Sequence, residues 1–125
     1  MKICIKNGRI IDPSQALDAV LDLYIEDDKV IALGDAPAGF IADDTVDANG
    51  LWVLPGLIDL AVSLREPGST QKGNIASETL AAASGGVTTL ICPPDTKPIV
   101  DTPAVAALIQ DKAFESGRAN VLPIG

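Results

Sequence analysis

The sequence predicts a chain of the α/β class in two parts, with residues 1–54 read as strands alone and residues 55–125 as alternating strands and helices. Three observations predict it. Up to Leu54 short segments of period two, at residues 2–6 and 21–26, and short apolar runs lie between turn signals and read as strands, whereas after Gly56 strand segments alternate with segments of helical period. Turn-forming residues punctuate both parts: Asn7-Gly8, Asp27-Asp28 and Asn49-Gly50 in the first, Gly85-Gly86 and Gly117 in the second. Hydrophobic residues make up 47% of the chain and aromatics only 3%, so Ala, Ile, Leu and Val must fill the core and disorder is excluded.

In the first part, Ile3 and Ile5 alternate with Lys2, Cys4 and Lys6, and Asn7-Gly8 is a hairpin turn signal. Leu21, Leu23 and Ile25 alternate with Asp22, Tyr24 and Glu26. Asp27-Asp28 then turns the chain into a strand over Val30 to Leu33. A further strand covers Thr45 to Asp47, and Asn49-Gly50 leads into Leu51 to Leu54.

In the second part a strand runs from Leu57 to Ser63. A helix over Gly73 to Ser84 follows, with Ile75, Thr79, Leu80 and Ala83 on one face, closed by Gly85-Gly86. Val87 to Cys92 is the next strand. Thr102 is an N-cap and Pro103 a first helical residue, opening a helix whose buried stripe is Val105, Leu108, Ile109 and Ala113. Gly117 ends it, and another strand starts near Asn120.

The net charge of −8, without a basic patch, disfavours nucleic-acid binding. No stretch approaches the ~20 apolar residues of a membrane span, and the start of the chain alternates rather than running apolar as a secretory signal would. Cys4 and Cys92 lack ligand spacing and read as reduced strand residues of a cytoplasmic protein.

The chemistry-bearing region is Asp59-Leu60-Ala61-Val62-Ser63-Leu64-Arg65-Glu66-Pro67-Gly68. On a strand, Asp59, Ala61 and Ser63 share a face. A metal hydrolase places a His-x-His pair at such a position, because ligands must converge within about 2.0–2.3 Å of a zinc ion. Here the two positions hold a methyl group and a hydroxyl, and the chain contains no histidine. A neutral hydroxyl is a poor zinc ligand beside imidazole or thiolate. Asp59 remains as a weak metal candidate, and one carboxylate does not make a site. Glu66 precedes Pro67-Gly68, a turn signature, and takes a structural role.

Four motifs occur in order: Pro-Gly-Leu-Ile-Asp at 55–59, Leu-Arg-Glu-Pro-Gly at 64–68, Gly-Gly-Val-Thr-Thr at 85–89 and Pro-Asp-Thr-Lys-Pro at 94–98. Together they resemble the amino-terminal part of a dihydroorotase, of the cyclic amidohydrolase superfamily. In that family the first strand reads Asp-x-His-x-His-x-Arg-Glu-Pro-Gly and a later loop Pro-Asn-Thr-x-Pro. The resemblance implies the first three strands of a TIM-type β/α barrel at 55–125, preceded by part of a small β-sandwich at 1–54. Because such a barrel needs roughly 250 residues, the chain reads as an amino-terminal fragment with an incomplete barrel. The resemblance also implies that Arg65 stands where the family grips a substrate carboxylate, and Asp95 where it has the asparagine that helps. With Asp95 in that place the pair forms a vestigial substrate site, since an anion there repels an anionic substrate or simply pairs with Arg65. Like charges ~4 Å apart oppose each other by ~4 kcal/mol at an effective dielectric near 20.

The resemblance is greatest to dihydroorotase-like proteins that have lost catalysis, lack the zinc of active relatives and serve as structural partners of the aspartate transcarbamoylase catalytic subunit in pyrimidine synthesis. The expectation is therefore a non-catalytic subunit of an oligomer, with no cofactor. One alternative is an active dihydroorotase or related zinc amidohydrolase that cleaves a cyclic amide with ligands from later strands. Another is a ligand-binding module that uses the pocket around Arg65 and Asp95.

Overall fold

The computed structural model describes all of residues 1–125, which divide into two units, Met1–Pro55 and Gly56–Gly125. In the first unit, strand β1 runs without a turn from Lys2 to Asp12. The expected hairpin at Asn7-Gly8 is instead a bulge: the register against β2 slips between Ile5 and Gly8, and Asn7 takes φ 61°. Asn tolerates this left-handed conformation, so the same residues that favour a turn can serve a bulge within a continuous strand. Gly8 is required for packing as well, because a Cβ there would lie 2.5 Å from Val53 Cγ2.

The reversal comes later. Asp12 accepts a hydrogen bond from the Ser14 N–H at 2.9 Å and caps a short 3-10 turn over Pro13–Gln15. Strand β2 (Leu17–Glu26) returns antiparallel to β1, and β3 (Lys29–Leu33) pairs with β2 after the Asp27-Asp28 turn. Strands β4 (Asp44–Asp47) and β5 (Trp52–Val53) both lie parallel to β1 along its other edge. The result is one five-stranded sheet in which β1 is central, flanked by β2 on one edge and by β4 and β5 on the other. Its buried residues are Cys4, Ile10, Leu23, Tyr24 and Ala48, and Phe40 meets the Tyr24 ring edge-on at 5.2 Å.

The second unit alternates strand and helix: β6 (Leu57–Asp59), α1 (Ile75–Ser84), β7 (Val87–Cys92), α2 (Pro103–Ser116) and β8 (Asn120–Pro123). The strands form a parallel sheet in the order β6-β7-β8. This sheet is open, so the expectation of a TIM-type barrel is corrected. Neighbouring strands rotate by only about 20–25°, and three of them cannot bring the first edge round to the last.

The helices follow their local signals. Asn74 and Ser77 form a reciprocal capping box that fixes the start of α1 at Ile75, two residues after the Gly73 expected from sequence. Thr102 caps α2, accepting from the Val105 N–H, with Pro103 at its first position. Leu64, Ile75, Leu90, Cys92, Val100, Ile109 and Val121 form the core of this unit. Thr79, fully buried, donates its hydroxyl to Ile75 O at 2.6 Å and accepts from the Arg118 N–H at 3.0 Å, tying α1 to the segment entering β8. Leu80 and Leu108, assigned to buried faces from periodicity, are exposed. No helix is long and apolar enough to cross a membrane.

Candidate functional site

Strand pairing on β6 stops at Asp59, four residues before the expected end at Ser63. Beyond it the chain continues irregularly, held to β7 by the Val62 N–H donating to Ile91 O at 2.9 Å. Asp59 turns its carboxylate to its own backbone and accepts from the Ala61 N–H at 3.1 Å. The Ala61 methyl is exposed, and Ser63 is half-buried.

The segments following β6 and β7 meet. Ser63 donates its hydroxyl to the Asp95 carboxylate. The Lys97 N–H donates to Pro67 O at 3.0 Å. Gly68 lies against the Lys97 backbone, at φ 112°. Thr96 is buried and donates to Pro98 O at 2.7 Å. Leu64, with no exposed surface, anchors the first segment in the core.

Arg65 stands apart from Asp95, the acid expected to pair with it. It adopts φ 65°, and its carbonyl accepts from the Ser69 N–H at 2.7 Å. Its guanidinium forms no ion pair: Asp95 is engaged by Ser63, and Glu66 by Lys112. A left-handed arginine between a buried Leu64 and the anchored Glu66 presents its side chain outward, and Arg65 is exposed.

Glu66 is the structural anchor of the region. One carboxylate oxygen takes the Lys112 ammonium from α2, and the other accepts from the Ile75 N–H, the first N–H of α1, at 3.0 Å. An anion suits that helix terminus. The Lys112 hydrogen bond, with a smaller contribution from the Ile75 N–H, outweighs burial and holds the Glu66 carboxyl below its ordinary pKa. A depressed folded-state pKa means stability that is present above the unfolded value and lost as pH falls through the folded one. Acid titration of wild type and E66Q should therefore differ: the variant is less stable at neutral pH by about 1–3 kcal/mol, and the gap closes below pH ~4. A gap that stays constant down to pH 3 would remove this role for Glu66. Lys112 lies 46 positions along the chain from Glu66, and nothing in its helical surroundings marks it as a partner, so sequence reading did not find it.

The donor set does not fit zinc. No three His, Cys, Asp or Glu side chains gather closely enough to hold a metal ion. Ala61 has no lone pair, Ser63 is spent on Asp95, and burial pushes the Cys92 thiol pKa up, away from the thiolate that zinc needs. A concavity of 810 Å³ lies along α2 and β8 and is lined by residues such as Thr88, Phe114, Arg118 and Leu122. None of Asp59, Ser63, Arg65 or Asp95 contributes to it.

Residues 50–125 match the family model described as dihydro-orotase-like. Over all 125 residues the chain is 58% identical to a dihydroorotase-like protein of Pseudomonas aeruginosa and 46% identical to a dihydroorotase of Trichlorobacter lovleyi. It spans 30% of the length of the first and 29% of the second. Among solved structures, an L-hydantoinase (dihydropyrimidinase) from Arthrobacter aurescens superposes with a TM-score of 0.85 at 26% identity, over 98% of this chain and 27% of the hydantoinase.

Proposed function

This chain belongs to the dihydroorotase-like family, and from that premise we propose that it is part of a non-catalytic member, a structural partner of the aspartate transcarbamoylase catalytic subunit in pyrimidine synthesis. The observation that carries the reading is the donor set after β6. Positions 61 and 63 hold alanine and a serine bound to Asp95, and no cluster of ligating side chains replaces them. The substrate grip is altered at the same time, since Asp95 brings a negative charge to its position and Arg65 stays unpaired. The capped helices and filled core of the second unit support a chain still specified as a folded object, whose use then lies in its surface.

Size-exclusion chromatography of the full-length protein mixed with the transferase at micromolar concentration tests the assembly. A shared early-eluting peak, with the transferase more stable inside it, is expected. Separate elution with transferase activity unchanged would remove the reading.

The relatives called dihydroorotase, and the hydantoinase likeness, favour a second reading. In it the whole protein cleaves a cyclic amide with ligands from other segments. Elemental analysis separates the two. The first expects less than one zinc per chain after dialysis, and the second expects one or two with measurable dihydroorotate turnover. Introducing both histidines (A61H with S63H) is expected to leave turnover undetectable while Asp95 remains, which a sensitive ring-opening assay would check.

A further inference from the structure

On the five-stranded sheet, Val20, Arg9 and Trp52 form a row across β2, β1 and β5, because Arg9 stands opposite Val20 on one side and Trp52 on the other. Trp52 is 68% exposed and Val20 67%. With Leu51, Asn7, Asn49 and Gly50 they line a recess of 290 Å³. This is the only tryptophan of the chain. At the other end of the same face Tyr24 is buried, with Phe40 packed on it, so the face is covered there and bare at Trp52. Trp, with Tyr and Arg, is the residue type that most often carries binding energy in interfaces.

The charges around the recess specify what fits it. Arg9 is already held by Asp18 through two contacts of 2.7 Å. Asp22 and Asp47 lie beside the recess, each accepting from its lining residue Asn7, and neither has a cationic partner. Lys6 stands opposite Asp47 in register but makes no ion pair with it. Hydrogen bonds from the Asn7 side chain and the Asn49 backbone hold the Asp47 carboxyl below its ordinary pKa, so it is charged at neutral pH. Residues 1–55 as a whole carry ten Asp and Glu against four Lys and Arg.

We infer that the Val20–Arg9–Trp52 row is a docking surface for a protein face that presents Lys or Arg around an apolar anchor. A cation from that face lies over the Trp52 ring, drawn by the unpaired carboxylates of Asp22 and Asp47 beside the recess, while the anchor covers Val20 and Leu51. The inference rests on the assembly role proposed above and names the surface through which the transferase is held. A stable interface of ~1,200 Å² or more includes this row as its centre.

Affinity of the full-length protein for the transferase, measured by titration calorimetry at two salt concentrations, tests it. W52S should weaken binding at least about 10-fold, with unchanged far-UV circular dichroism. V20K and V20E place opposite charges at one exposed position. V20K should weaken binding and V20E leave it unchanged or tighter, with both effects shrinking as salt rises. Equal affinity for wild type, W52S and V20K overturns the surface while leaving the assembly role standing. No binding by wild type overturns both. A protein that dimerises alone, and stops doing so with W52S, overturns the basic partner in favour of a second copy of this chain.

Discussion

Replacing Ile109 with alanine should lower the stability of the second unit by about 2–5 kcal/mol. Ile109 has no exposed surface and is the one fully buried residue of α2. It packs in the cluster that contains Leu90 on β7, Val121 on β8 and Ile75 on α1. Removing three carbons from such a position forfeits their transfer free energy and leaves a cavity, since its neighbours belong to three other elements and cannot all close in. Leu108, the adjacent residue, is 41% exposed, so L108A should cost under ~1 kcal/mol. Urea unfolding of the full-length protein with both variants measures the difference. Equal midpoints would mean that the helix is not held by this face.

The contrast between those two leucine-like neighbours also shows what was legible from sequence. Periodicity put both Leu108 and Ile109 on the buried stripe of α2, because a broad apolar face looks the same whether or not something covers all of it. Of the two, only Ile109 enters the core, against which Val105 and Ala113 also pack, while Leu108 stays exposed. The barrel expectation is corrected by the open three-stranded sheet, because curvature across strands is not written in any single β/α unit. Signals that act over a few residues read correctly: Thr102 and Pro103 at the start of α2, Gly85-Gly86 after α1, and the Val87–Cys92 strand. Asn7-Gly8 misled because a left-handed Asn serves a bulge as well as a turn. At the candidate site the missing histidines were plain in the sequence. The partners were not: Ser63 reaches Asp95 over 32 positions and Glu66 reaches Lys112 over 46, and both depend on how the loops fold back. The sequence offered Arg65 as a partner for Asp95, yet its left-handed backbone leaves it facing outward.

Gly68 to alanine should destabilise the loop pair by roughly 2–5 kcal/mol, combining backbone strain with a clash. Gly68 sits at φ 112°, in the region that favours glycine. A Cβ built there would lie 2.8 Å from the Lys97 carbonyl oxygen and 2.9 Å from its nitrogen. Neither atom is the free end of a side chain. The Lys97 N–H is also donated to Pro67 O at 3.0 Å, so relieving the contact breaks the hydrogen bond that joins the two segments. The consequence reaches the candidate site, because Ser63 and Asp95 lie on the same two segments. G68A should therefore lower the unfolding midpoint and speed hydrogen exchange at the Lys97 amide. By contrast G86A, at φ 83° with open space around its Cβ, suffers strain alone and should cost only about 1 kcal/mol. Similar losses in the two variants would show that the close approach of Gly68 to Lys97 contributes nothing, and that the loops are held together by other contacts.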